Sequence, residues 1–264
     1  MERVPYALIA CALALAGMLP GPVGDAPADA GAGSEPLAGR TVVIDPGHQL
    51  GNARHASRIN RTVWIGNGRR QCNTTGTATD GGFPEATFAW RVARRMEHRL
   101  EALGARVIMT RDSNSQGAWG PCVDERGRRG NRAHADLKIS IHGDGSYARG
   151  AHGFHVIYAA DRGLTQDTFR RSHALALDTR AAMQHAGFRR ATYIAGGDGL
   201  DVRSDLGTLN LSQMATVMVE CGNMRDAGDA GRMRSSRGEA RYAGALVRAA
   251  RHYLTQHDRT EAAG

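Results

Sequence analysis

Thr41-Val42-Val43-Ile44-Asp45 is a nearly continuous apolar run closed by Pro46-Gly47, the pattern of a short strand buried on both faces. Comparable runs recur at Arg106 to Thr110, Leu137 to His142, Gly153 to Tyr158 and Ala215 to Glu220. Between the first two the period changes. Phe88, Val92, Met96, Leu100 and Leu103 repeat at helical spacing, which predicts a helix with Pro84 at its first helical position and Gly104 as its stop. Asp124 to His134 is polar and Arg-rich but compatible with a helix, and Phe169 to Gly187 and Tyr242 to Leu254 carry further helical patterns. Strands alternating with helices predict a single α/β domain on a mostly parallel sheet. No internal repeat or second domain interrupts residues 40–257.

In the long loop after the first strand, Thr62-Val63-Trp64-Ile65 runs into Gly66-Asn67-Gly68, a strong hairpin signal. Two readings stay open for it: a flap over the end of the first strand, or a plain surface hairpin. Cys72 and Cys122 lie in polar, Gly-rich loop sequence, whereas Cys221 follows the apolar Val217-Met218-Val219. The expected pairing is therefore Cys72–Cys122, at the hairpin's base, with Cys221 a buried thiol. There is no CxxC pair, which disfavours a cysteine-based zinc site or a thioredoxin-like site.

The N-terminus changes the picture of where the chain works. Met1-Glu2-Arg3, an apolar stretch from Tyr6 to Leu19, Pro20 and the small residues Ala26 to Ala30 read as a secretory signal peptide, residues 1–30. Leu8-Ile9-Ala10-Cys11 has a lipoprotein-like look, but the apolar run continues past the cysteine, so export without a lipid anchor is expected. The expected order is then a linker over 31–39, a catalytic domain over 40–257 and a polar tail over 258–264, in a secreted or periplasmic protein with no transmembrane segment once processed. An oxidising compartment permits the disulfide. The 264-residue chain has a formal charge of +8, and removing one arginine and three acids with residues 1–30 makes the remainder more basic still. Positive charge favours anionic partners, outside a cell mostly envelope polymers. No nucleic-acid-binding motif is present.

Candidate chemistry collects where open α/β sheets bind ligands, at the carboxyl ends of strands. His48 follows the first strand, His142 ends the third and Glu220 ends the run from Ala215; Glu85 opens the first helix. Two histidines and a carboxylate with a further carboxylate close by are what a hydrolytic zinc site needs. His55, His98, His134, His173, His185, His252 and His257 are read as ordinary hydrogen-bonding or solvent-facing residues. His152 and His155, three apart on a strand, point to opposite faces and make a poor ligand pair. Asp45 is read as a turn cap in preference to a partner of a ligand imidazole, and Arg111 and Arg126 as structural.

Val43-Ile44-Asp45-Pro46-Gly47-His48, Glu85 at a helix start, Met109-Thr110-Arg111-Asp112, Arg126 with Asn131, Ala135-Asp136-Leu137 running into Ser140-Ile141-His142, and Val219-Glu220-Cys221-Gly222-Asn223-Met224 together resemble the zinc-dependent N-acetylmuramoyl-L-alanine amidases of the amidase-3 type. The motifs stand in family order over about residues 40 to 255. The resemblance implies a roughly six-stranded mixed sheet flanked by helices. It implies Zn2+ held by His48, Glu85 and His142, with Glu220 as the catalytic carboxylate. The implied substrate is peptidoglycan or a muropeptide, cut between N-acetylmuramic acid and the L-alanine that starts the stem peptide. Ala89 stands where members often carry Asn, and Gly143-Asp144-Gly145 replaces a more usual Ala-Asn or Ala-Asp; neither change removes a ligand. No wall-binding repeats are appended, and a monomer is expected. Two other readings share the metal set or the surface: a zinc peptidase acting within stem peptides, and a catalytically silent wall-binding regulator.

Overall fold

The run beginning at Thr41 forms strand β1 (Thr41–Pro46), buried along its whole length. The computed structural model describes Met1 and residues 35–261, with side chains as far as His257. The expected signal peptide lies outside the described residues, as do the side chains of the expected tail. In chain order the other elements are α1 (Ala56–Ile59), β2 (Thr62–Trp64), β3 (Arg69–Gln71), α2 (Glu85–Glu101), β4 (Arg106–Met109), α3 (Val123–Arg128) and β5 (Leu137–Asp144). They continue with β6 (His155–Ala159), α4 (Gln166–His185), β7 (Leu200–Arg203), α5 (Gly207–Asn210), β8 (Ala215–Asn223), α6 (Ala227–Met233) and α7 (Ser236–Glu261).

Six strands form one sheet in the order β4-β1-β5-β8-β6-β7, and β2 pairs with β3 in a separate hairpin. Only the β6–β8 pairing in the main sheet is antiparallel. The mixed, mostly parallel six-stranded α/β fold is thus as expected. Because side chains alternate across a strand, each central strand presents two different surfaces. Val42 and Ile44, Leu137, Ile139 and Ile141, and Val217, Val219 and Cys221 join one core with Phe88, Val92, Met96 and Leu100 of α2 and with residues of α4 and α7. The residues between them, including Asp45, Ser140, His142 and Glu220, belong to the opposite face, where α3 and α5 sit. The apolar stripe of α2 is therefore the sequence period seen in space, and burying it anchors the helix whose first residue is Glu85.

Several boundaries differ from the sequence expectation. Pro84 is the N-cap of α2, not its first helical residue: its backbone is extended, and its carbonyl accepts from the Phe88 N–H at 3.2 Å. The Asp124–His134 segment is helical only over α3, because Gly130 and His134 adopt left-handed backbone around a short 3-10 turn. The α7 helix starts six residues before the apolar pattern does. Its first turn is held by a buried carboxylate, Glu239, which accepts from Arg91 and Arg95 of α2 at 3.3 and 3.4 Å. Strand β7, a short and partly exposed edge strand, carried too few apolar positions to be read. Leu37, in the expected linker, is buried against this core, and its N–H donates to Leu103 O at 2.9 Å. No helix among the described residues is long and apolar enough to cross a membrane.

Cys72 and Cys122 form a disulfide across 50 residues of chain, and Cys221 is a buried free thiol. The bridge joins the end of the β2–β3 hairpin to the start of α3. Closing a loop of that length removes unfolded-chain entropy worth about 4 kcal/mol. The double variant Cys72→Ser/Cys122→Ser should lose on the order of 2–4 kcal/mol in urea unfolding. An unchanged midpoint would mean that the bridge constrains nothing the fold does not already hold.

Candidate metal centre

The turn after β1 is clamped from beneath. Asp45 is fully buried, and its carboxylate accepts from Thr110 Oγ1, Arg126 Nη1 and Ser140 Oγ, each at 2.6 Å. Burial alone would raise its pKa, but the Arg126 charge and the two hydroxyls outweigh it and hold the carboxyl well below its ordinary range. Asp45 is therefore an ion-pair and hydroxyl acceptor; its partners include neither candidate ligand imidazole. Arg126 also donates to the carbonyls of Pro46 at 2.8 Å and His48 at 2.6 Å, and Arg111 donates to Pro46 O at 3.1 Å and Ala86 O at 2.8 Å. With its carbonyl so held, His48 sits in left-handed backbone, at φ 54°, a conformation that a non-glycine residue adopts only when its surroundings impose it.

Onto this base the structure brings His48, Glu85 and His142. Each offers a ligand atom within 4.8 Å of the others. Glu85 Oε1 lies 3.1 Å from His48 Nε2 and 2.8 Å from His142 Nδ1. Its remaining capacity is taken up by backbone: Oε2 accepts from Thr77 N–H at 2.9 Å and Oε1 from Gly143 N–H at 3.2 Å. The other ring nitrogen of His48 lies 3.1 Å from Thr74 O, the usual means of fixing an imidazole's orientation when it serves as a metal ligand. Burial raises the Glu85 pKa, yet the two imidazoles outweigh it and keep the carboxyl ionised well below its ordinary range. Its place at the start of α2 adds the favourable helix dipole. For His48 burial opposes charge, and Glu85 overcomes it, so the imidazole pKa is raised.

Glu220 is the direct neighbour of His142 in the sheet register. Its Oε2 is buried and has no hydrogen-bond partner. Burial first, then repulsion by Glu85 and Asp144, push its carboxyl pKa well up, which favours the protonated form. These four residues line a cavity of about 470 Å³ whose other walls include Arg70 of the hairpin and Thr208 of α5. The hairpin is a wall of this cavity, and its tip is tied down: Asn67 Nδ2 donates to Ser204 O at 2.7 Å. Two further residues near Glu220 escaped the sequence reading. Tyr193 donates to Asp144 Oδ2 at 2.7 Å. Only the unusual Gly143-Asp144-Gly145 segment hinted at a polar contact there.

A pair of imidazoles and a carboxylate converging beside an unpaired second carboxylate is a donor set suited to a divalent metal with an open coordination position. The family model described as N-acetylmuramoyl-L-alanine amidase matches residues 42–252. The chain is 41% identical over 219 residues to the N-acetylmuramoyl-L-alanine amidase Rv3717 of Mycobacterium tuberculosis, covering 83% of this chain and 88% of that protein. Among solved structures, the amidase Ami1 of Mycobacterium smegmatis matches with a TM-score of 0.76 at 40% identity, covering 83% of this chain and 98% of that one. Apo Ami1 of Mycobacterium abscessus matches with a TM-score of 0.75 at 43% identity, covering 83% of this chain and all of that one.

Two predictions test the clamp and the cluster. Because the folded Asp45 pKa is depressed, its stabilisation is complete above the unfolded value near pH ~4 and is lost as pH falls below it. Asp45→Asn strands the buried Arg126 charge and should cost about 3–5 kcal/mol at neutral pH, with a shallower fall on acidification; equal stability in urea at pH ~7 would refute the clamp. At Gly47, an added Cβ would lie 2.5 Å from His142 Cε1 and 2.6 Å from Nδ1. Gly47→Ala should therefore weaken divalent-metal affinity about 10- to 100-fold in calorimetry with the fold retained; unchanged affinity would show that the close packing of His142 on Gly47 does not set the metal affinity.

Proposed function

The chain belongs to the N-acetylmuramoyl-L-alanine amidase family, and from that membership we propose a zinc enzyme in which His48, Glu85 and His142 hold the metal and Glu220 moves the proton. The observation that carries this reading is the convergence of the three donors beside the unpaired Glu220 Oε2. The donor set fits zinc: two nitrogens and one oxygen from separate elements, the carboxylate ionised, both imidazoles next to it, and no thiolate among them. Residues 40–257 are the catalytic domain in this reading, preceded by a signal peptide over 1–30 and a linker over 31–39 and followed by a polar tail over 258–264. The protein is exported and works as a monomer in the cell envelope.

The substrate is peptidoglycan or a fragment of it, and the bond cut is the amide between the lactyl group of N-acetylmuramic acid and L-alanine. Zinc bound by this triad would act as a Lewis acid, polarising the carbonyl and making a water more acidic. The protein's own part is proton traffic. Glu220 takes a proton from the attacking water and returns it to the alanine nitrogen, since an amine leaves poorly unless protonated. Burial and the neighbouring carboxylates favour a protonated Glu220 when the triad is empty, whereas with a divalent cation held there that repulsion would be offset and Glu220 would be ionised and able to take the proton. Glu85 is oriented by the Thr77 and Gly143 N–H groups and in this reading serves as ligand, which leaves the proton to Glu220.

Mass spectrometry of products tests the reading. Zinc-loaded protein incubated with muramyl dipeptide and with purified wall polymer should release N-acetylmuramic acid, or stem peptides that begin with L-alanine. Glu220→Gln should retain zinc and lose about 100-fold or more in rate. Cleavage within the stem would establish a peptidase instead, and substantial turnover by Glu220→Gln would remove Glu220 from the mechanism.

A further inference from the structure

Two buried polar atoms near the site have no hydrogen-bond partner: Glu220 Oε2 and His155 Nδ1. Their residues face each other directly across the one antiparallel pairing of the sheet, β6 with β8. Residues opposed in this way project from the same face with Cβ atoms ~4.5–5.5 Å apart. His142 opposes Glu220 from the other side, in β5. His142, Glu220 and His155 thus form one row across three strands, the first in the proposed metal triad and the second the proposed proton carrier.

His155 is 3% exposed. Its ring meets Tyr193 edge-on with centroids 6.3 Å apart, and the Tyr193 hydroxyl is engaged by Asp144. The charged groups that act on it are Asp144, Asp201 and Arg203. If the ring served packing alone, a phenyl group would pack against Tyr193 as well and leave no polar atom stranded. A buried nitrogen without a partner is costly, so its retention calls for a use. Glu220 supplies the complementary need. Both Glu85 oxygens are tethered by donors, whereas Glu220 Oε2 has none, and a carboxylate that must aim at a water and then at an amine works best with one oxygen tied down.

We propose that His155 is the positioning residue for Glu220. When substrate fills the cavity, a side-chain rotation lets His155 Nδ1–H donate to Glu220 Oε2, which turns the other carboxylate oxygen toward the scissile amide. The role rests on the amidase reading above, and it leaves the metal ligands and the substrate contacts unchanged.

The test compares wild type, Glu220→Gln, His155→Phe and His155→Asn on muramyl dipeptide, with zinc content measured for each. His155→Phe should lower kcat about 10- to 100-fold with KM and bound zinc unchanged. His155→Asn, which restores an N–H near the place of Nδ1, should regain most of the loss; a packing defect would not be rescued this way. In the unaltered chain, 15N NMR of labelled histidine should show the His155 Nδ1 resonance move when an L-alanine-terminated peptide product is added. Normal kcat in His155→Phe, equal loss in His155→Asn, or a stationary Nδ1 resonance overturns the proposal. Failure of the amidase reading is distinct: wild type would then release no alanine-terminated peptide, or Glu220→Gln would remain active.

Discussion

The contact between Arg126 and Asp45, 2.6 Å long and sealed from water, is the constraint on which the rest of the site depends. A guanidinium has five N–H donors in a fixed plane. Here its three nitrogens reach Asp45, Pro46 O, His48 O, Gly120 O and Pro121 O. One side chain thus ties the end of β1, the strained His48 and the loop before α3 to a single plane. A buried lysine supports Arg126 from below: Lys138 on β5 donates to Arg126 O and Gly127 O, carbonyls at the end of the short helix that bears Arg126. Buried ion pairs add little net stability over apolar packing but are costly to break, and this one holds the end of β1 and His48 together. The proposed ligand His48 is where that hold is needed.

The site also follows from the two-faced sheet. On one face, the apolar residues of β1, β5 and β8 bury α2 and so place Glu85 at the strand ends. On the other, alternate residues of the same strands are Asp45, Ser140, His142 and Glu220. One register therefore fixes both the core and the polar row, and a slip of one residue would exchange them. Electrostatics then separate the two glutamates. Glu85 lies between imidazoles and stays ionised, while burial first, and then repulsion by Glu85 and Asp144, push the Glu220 pKa up. The opposite shifts of these two like groups come from their surroundings.

Much of this could be read in the chain before folding. The runs at Thr41, Leu137 and Ala215 marked buried strands because central parallel strands are apolar on both faces, and their carboxyl ends pointed to His48, His142 and Glu220. The cysteine pairing could be read from the contrast between polar loops and an apolar run. What was not legible depends on contacts between distant residues. Strand β7 is short and half exposed, so its pattern is faint. The early start of α7 relies on Glu239 meeting arginines of α2, which no local period records. Asp45 looked like a turn cap because nothing nearby in sequence shows that Arg126 lies against it. In sequence His155 is only half of a poor ligand pair, since its relation to Glu220 exists only in the β6–β8 register.

The central claim is that two imidazoles and one carboxylate, preassembled on this clamp, hold one zinc ion. X-ray absorption spectroscopy at the zinc edge of the zinc-loaded full chain tests it most directly. The account predicts a first shell of nitrogen and oxygen only, with outer-shell scattering from two imidazoles. A sulfur ligand, or scattering from fewer than two imidazoles, would contradict it.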